Sequence, residues 1–299
     1  MTRRRKGLPV HGWIVLDKPL GKTSTQALGA VRRLLNADKA GHAGTLDPLA
    51  TGVLPIALGE ATKTVPFVQD GRKAYTFTVA WGETRDTDDA AGAVIASSPV
   101  RPDPAAVAAV LPRFVGAMLQ TPPAYSAIKV DGRRAYDLAR QGTEFELKAR
   151  TIVIDRLELL EVGPDSATLA VECGKGTYVR VLARELAEAV GTVGHVSALR
   201  RTRVGPWTVA EAISLDRLGE LVLSAAPEAY LHPVAAALAD IPALALTEAE
   251  AQRLKAGQAI RVATFNGAPG EVCAMANGLP IAVARVTDGE LRPVRVFNL

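Results

Sequence analysis

Lys73-Ala74-Tyr75-Thr76-Phe77-Thr78-Val79-Ala80-Trp81 is the stretch on which the fold turns. Lys73, Tyr75, Phe77, Val79 and Trp81 fall on alternate positions, with Ala74, Thr76, Thr78 and Ala80 between them. A period of two puts the large side chains on one face of a β-strand, and aromatic and β-branched residues suit that pleated surface. The same period recurs at Ala167, Leu169, Val171 and Cys173, where Gly174 ends it. Apolar runs at residues 13–16 and 53–58 read as further buried strands. Helical spacing lies between them. Ala27, Leu28, Val31, Leu34 and Leu35 share a face behind a cap at Ser24 or Thr25, and Val181, Leu182, Leu186 and Val190 share one behind a cap at Thr177. Strands and helices are interleaved without a regular βαβ rhythm, so the predicted class is α+β.

Around Asp240-Ile241-Pro242 the texture changes. A helix start at Thr247-Glu248 runs to Leu254 and stops at Gly257; short apolar strands follow, with turns at Asn266-Gly267, Asn277-Gly278 and Asp288-Gly289. This predicts a basic arm over residues 1–10, a main domain over 11–240 and a small β-rich domain over 243–299.

The composition narrows the partners. Lysine and arginine number 35 against 31 acids, a net charge of +4, which permits an anionic partner without demanding one. The basic residues cluster at Arg3, Arg4, Arg5 and Lys6 and again at Arg200, Arg201 and Arg203. The first cluster reads as a solvated tail or an RNA-contacting arm; the second, inside the folded body, reads as a phosphate contact. Two distant cysteines, Cys173 and Cys273, form no metal pattern and suit a reducing compartment. The apolar stretches near Gly12 and Val234 are broken by charge or proline, so a cytoplasmic protein without a membrane span is expected.

Two Gly-Lys pairs, Gly21-Lys22 and Gly174-Lys175, lack the first glycine of a phosphate loop, with Leu16 and Leu169 in its place. The acidic run at residues 82–92 lacks calcium-loop spacing and reads as a solvated loop. The densest chemistry lies in Gly41-His42-Ala43-Gly44-Thr45-Leu46-Asp47-Pro48-Leu49-Ala50-Thr51-Gly52. Glycine lets backbone approach a ligand, and Pro48 stiffens the placement of Asp47. By itself the run is either a functional loop or a tight turn whose aspartate satisfies its own backbone. No third ligand accompanies His42 and Asp47, so a metal-dependent hydrolase is disfavoured.

Extended to Thr62-Lys63, that loop resembles the signature of the TruB-type tRNA pseudouridine-55 synthases, whose number denotes a tRNA position. The likeness continues in order through Lys73-Ala74-Tyr75, Tyr125-Ser126-Ala127-Ile128-Lys129, Ala139-Arg140-Gln141-Gly142, Cys173-Gly174-Lys175-Gly176-Thr177-Tyr178-Val179-Arg180 and Leu199-Arg200-Arg201. It spans residues 11–205, with Ile128 where leucine is commoner.

The resemblance implies a pseudouridine synthase fold, a mixed or antiparallel central sheet with flanking helices, followed by a PUA-like module. It implies a tRNA isomerase that flips a T-loop uridine, with Asp47 as catalytic carboxylate and Arg180 as its ion partner. Tyr75 would stack on the base, Tyr178 would support the pocket, Leu199 would floor it, and His42 would fill the space the nucleotide leaves. Taken alone, Tyr75 and Tyr178 also read as packing residues and Arg180 as a surface arginine. Lys18, Lys22, Lys63, Lys129, Arg140, Arg200 and Arg201 are candidate phosphate contacts, with Arg200 and Arg201 together worth about two units of salt slope. An isomerisation needs no redox cofactor, nucleotide or metal, so none is expected. The partner the resemblance implies is the T arm of tRNA, and a monomer with no obligate protein partner is expected. The rivals are a guide-RNA-dependent synthase, which usually carries long basic extensions, and a non-catalytic RNA-binding chaperone, which has no need of Asp47, Tyr75 and Arg180 together.

Overall fold

In the computed structural model, which describes residues 7–126, 128–130, 132–262 and 270–299, the strand Lys73–Trp81 alternates buried and half-buried positions along its whole length. It is the centre of the main sheet, whose spatial order is Gly12–Lys18, Ala50–Leu58, Gly194–Val204, Lys73–Trp81, Ser166–Cys173, Arg150–Val162, Gly116–Gln120. Neighbours on this path are antiparallel except at one place. There Leu199, Arg200 and Arg201 run parallel to Ala50, Thr51 and Gly52. The sheet is therefore mixed, and the fold α+β as expected.

One face of the sheet is covered along its length and the other at the end that carries its first strand. Ile14, Leu16, Leu54, Ile56, Phe77, Val79, Leu169 and Val171 pack with Ala27 and Val31 of the helix Ser24–Leu34 and with Leu182 and Leu186 of the helix Val179–Ala189. Trp13, Val15, Val53, Val204 and Trp207 form the opposite layer, which extends to Cys273, Val283 and Phe297 of the C-terminal part. Each fully buried aliphatic side chain contributes about 1.5–3 kcal/mol, so these two layers hold the sheet that carries the site.

From Ala243 a second sheet forms, in the order Ala243–Ala245, Gly270–Ala276, Leu279–Thr287, Glu290–Val296, Ile260–Arg261. The helix Glu248–Lys255 covers it behind a reciprocal cap between Thr247 and Glu250. The turns at Asn277-Gly278 and Asp288-Gly289 have φ of 50° and 75°, and of 52° and 75°, the primed geometry of two-residue hairpins. The turn expected at Asn266-Gly267 and the basic residues Arg3, Arg4, Arg5 and Lys6 lie outside the described residues. Lys63 joins the two parts, its Nζ donating to Glu60 Oε2 (2.6 Å) and to the Val296 carbonyl (2.7 Å).

Both expected helix caps fall elsewhere. Thr23, not Ser24 or Thr25, caps the first helix, accepting from Gln26 N at 3.1 Å, because Ser24 is turned inward. Tyr178, not Thr177, stands at the start of the helix Val179–Ala189, and the Thr177 hydroxyl donates back to the Gly174 carbonyl at 3.2 Å.

Candidate active site

The glycine-rich loop joins the strand Ala40–His42 to the strand Ala50–Leu58. Gly52 sits at φ +98°, where a Cβ would lie 2.1 Å from the Arg201 carbonyl, so only glycine fits against the neighbouring strand. Ser24 Oγ accepts from Leu46 N (2.8 Å) and donates to Leu46 O (2.9 Å). Pro48 O accepts from Gly21 N at 2.8 Å. The backbone on both sides of Asp47 is thus fixed by the first helix and the turn that precedes it. Ser24→Ala would leave the Leu46 peptide without its buried partner, a cost of about 1–3 kcal/mol. We expect a melting temperature several degrees lower and slower turnover; an unchanged melting curve and rate would remove Ser24 from this role.

Arg180, the second residue of its helix and 5% exposed, meets that loop. Its Nε lies 3.0 Å from Asp47 Oδ2 and 3.8 Å from Asp89 Oδ2. The remaining arms of the guanidinium donate to the Thr87 carbonyl (2.8 Å) and the Tyr125 carbonyl (2.9 Å). A planar fork used on every side has one orientation, which is how the arginine fixes the carboxylate. The expectation of an acidic, solvated loop at residues 82–92 does not hold. Asp88 and Asp89 are buried, Asp88 paired with Arg184 at 2.6 Å and Asp89 accepting from the Thr87 hydroxyl and Ala91 N. The two aspartates lie on the loop that supplies Arg180 with Thr87 O. Sequence spacing carries little sign of this, because the arginines that offset their charge lie more than ninety residues away.

The charges at this point oppose one another. Burial pushes the Asp47 carboxyl above the usual aspartate range; Arg180 pulls it down, and Asp89 pushes it up again. Burial likewise raises the Tyr75 phenol, against the pull of the Arg201 guanidinium beside it. Tyr75 is therefore a neutral phenol at working pH. Two buried lysines flank the site, Lys18 and Lys73, each brought down to about 8 by burial.

Asp47, Tyr75, Tyr178, Arg180, Leu199 and His42 all line one cleft of about 760 Å³. Tyr75 rises from the central strand in phase with the core residue Phe77, and Leu199 lies across from Phe77 on the neighbouring strand. The six positions come from four separate segments of chain, and the parallel step beside Ala50 sets the Asp47 loop next to Leu199.

The basic residues divide differently from the expectation. Lys22, Lys129 and Arg140 are exposed, the last stacked over the Tyr136 ring at 4.6 Å. Lys18 and Arg201 are not at the surface. Lys18, fully buried, donates to the carbonyls of Pro19, Lys22 and Pro48. Arg201, 1% exposed, donates to Val53 O, Thr45 O and Gly44 O. Both hold loop backbone, because a cation inside the fold must spend its donors on carbonyls. Lys63 is engaged as described, and Arg200 makes a two-pronged pair with Asp17 at 3.0 and 2.8 Å. The double replacement expected to flatten the salt dependence of RNA affinity is therefore Lys129→Ala with Arg140→Ala, by about two units of slope. Arg201→Met should lower the melting temperature and leave the slope unchanged; a slope that follows Arg201 instead would reject this division.

Solved structures share this fold. The chain aligns over its whole length with a chain from a structure of an H/ACA RNP bound to a substrate RNA containing 2′-deoxyuridine, at TM-score 0.76 and 22% identity, covering 92% of that chain. It aligns similarly with one from an archaeal box H/ACA sRNP Nop10-Cbf5 complex, at TM-score 0.75 and 22% identity over 100% and 93% of the two chains. At that identity the likeness shows the fold alone, the pseudouridine synthase fold.

The family is more specific. The model of the TruB family pseudouridylate synthase N-terminal domain matches residues 32–179, and that of the tRNA pseudouridylate synthase B C-terminal domain matches residues 180–239. A tRNA pseudouridine synthase B of Rhodospirillum rubrum is 54% identical over the full length of both chains, and one of Caulobacter vibrioides 53% identical over the same full lengths. The chain belongs to the TruB family and is a pseudouridine synthase.

Proposed function

We propose that the protein isomerises the T-loop uridine at tRNA position 55 to pseudouridine, with Asp47 acting at the ribose. The observation that carries this reading is the Asp47–Arg180 pair, 3.0 Å apart in a cleft that also holds Tyr75 and Leu199. The relatives' shared name, tRNA pseudouridine synthase B, supports the substrate.

In the reaction the C1′–N1 bond breaks, the uracil turns, and a C1′–C5 bond forms. C5 loses a proton and N1 gains one, so the composition is unchanged. Asp47 serves either by attacking C1′ or by stabilising and deprotonating the sugar as the bond opens. Arg180 keeps its carboxylate aimed and ionised against the cost of burial. Extracting the base from the T loop costs on the order of a few kcal/mol, returned by stacking on Tyr75 and contact with Leu199, while His42 occupies the vacated stack and Tyr178 supports the pocket. Lys22, Lys129 and Arg140 meet phosphates. The chain works as a cytoplasmic monomer on the T arm, without an obligate protein partner, and tRNA folding can accompany catalysis. Residues 11–240 form its catalytic domain, and residues 243–299 form a PUA-like RNA-binding domain. Among the described residues no helix is long and apolar enough to cross a membrane.

The test is incubation of the purified protein with unmodified tRNA transcript, without added metal or nucleotide, and mapping of pseudouridine by carbodiimide-stopped primer extension. Modification of the T-loop uridine is the expected result. A folded protein that leaves it unmodified would overturn the proposal.

A further inference from the structure

Gln120 is the last residue of the edge strand Gly116–Gln120 and is 1% exposed. Its side chain faces the peptide groups of Tyr178 and answers both. Oε1 accepts from Tyr178 N at 2.8 Å, and Nε2 donates to Tyr178 O at 3.3 Å. A primary amide carries a donor and an acceptor on one planar group, as a peptide does, so it can answer a peptide N–H and C=O together. A buried residue needed for volume alone would be apolar at this position. The helix Val179–Ala189 begins at Tyr178 with no side-chain cap of its own, and Gln120 is the side chain bonded to the peptide groups at that start.

Arg150 is paired with Gln120 across the two strands. It donates to Gly176 O at 2.6 Å, and its guanidinium lies 5.1 Å from the centre of the Tyr178 ring. The pair therefore holds residues 176–178 twice, by backbone through Gln120 and by backbone and ring through Arg150. Two residues further on stands Arg180, whose fork must meet Asp47, Thr87 O and Tyr125 O together.

We propose that Gln120 and Arg150 are positioning residues of the isomerisation: they fix Tyr178 and, through the start of its helix, the aim of Arg180 at Asp47. This rests on the reading of Tyr178 and Arg180 as site residues. Gln120 is not among the residues that line the cleft, and Arg150, which lines it, has its guanidinium on Gly176 O and the Tyr178 ring. They act by holding the geometry, and a misplacement of about 1 Å at a reacting centre can cost on the order of 100-fold in rate.

The experiment compares Gln120→Met, Arg150→Met and Tyr178→Leu in single-turnover assays on unmodified tRNA, with tRNA affinity, melting temperature and the pH profile of the rate measured alongside. Gln120→Met should slow the chemical step by about 10- to 100-fold, leave affinity within about twofold, and move the acid limb of the profile to higher pH, because a loosened Arg180 no longer holds the Asp47 carboxyl down. Arg150→Met should slow the step less, and its effect should shrink in the Tyr178→Leu background, where the ring it stacks on is gone. A Gln120→Met protein that melts lower yet turns over at the wild-type rate with an unshifted acid limb would overturn the proposal. If Gln120→Met does not fold, an Arg150→Met effect that is full-sized in the Tyr178→Leu background overturns it equally. Wild-type turnover by Tyr178→Leu alone would sink the reading of Tyr178 as a site residue, an outcome separate from the other two.

Discussion

Asp47→Asn is expected to bind tRNA with near-normal affinity and to turn it over at least about 10⁴-fold more slowly, the scale of loss when a group that acts on the reacting carbon is removed. The substitution is nearly isosteric and leaves the loop's anchors intact, since Ser24 and Gly21 hold backbone rather than the Asp47 carboxylate. It should not destabilise the fold. The Asp47 carboxyl is raised above its ordinary value by burial. A raised acid contributes stability below its unfolded pKa and loses it as pH rises through the folded value, so at neutral pH the charge is a net cost. The melting temperature of Asp47→Asn at pH 7 is therefore expected to equal or exceed that of the wild type, with the difference vanishing towards acid. Clear residual turnover would take Asp47 out of the central role, and a marked fall in melting temperature at neutral pH would contradict the electrostatic account.

Arg180→Met should lose on two counts. The fold loses the ion partner of Asp47 and of buried Asp89, and two carbonyls lose their donors. Breaking such a pair from one side costs about 3–5 kcal/mol, a melting temperature lower by on the order of 10 °C. Catalysis loses the group that opposes burial at Asp47. Desolvation and Asp89 both push that carboxyl up and Arg180 pulls it down, so removing Arg180 must move the acid limb of the rate profile to higher pH. Arg180→Lys keeps the charge but has no fork to span Thr87 O and Tyr125 O, so its limb should lie between those of wild type and Arg180→Met. An acid limb that stays in place in both variants would show that Arg180 does not set the ionisation of Asp47.

The pairing of a stiff loop with a distant arginine separates what could be read along the chain from what could not. The alternation of Lys73–Trp81, the apolar face of Val179–Ala189 and the paired turns at Asn277-Gly278 and Asp288-Gly289 are contiguous patterns, and each stands in the fold as read. The position of Asp47 in a loop tied down by glycine and proline was legible for the same reason. Its partners were reached through ordered family resemblance, since nothing in the spacing of residues 47 and 180 brings them together. The helix caps fell on neighbouring residues because Ser24 has a better partner in Leu46, one that exists only after the loop has folded back.

The sequence by itself therefore determined the α+β class, the strand and helix periods, the loop that carries Asp47 and the family. Only the tertiary structure decided which charges face inward. Lys18 and Arg201 became loop anchors, and Asp88 and Asp89 left solvent for the rear of the site. The physical reason is that a charge is buried only where donors or opposite charges from remote segments offset its desolvation. Arg201 reaches carbonyls 157 and 148 residues away in the chain. Short-range periodicity holds no record of such partners, and closing the sheet creates them.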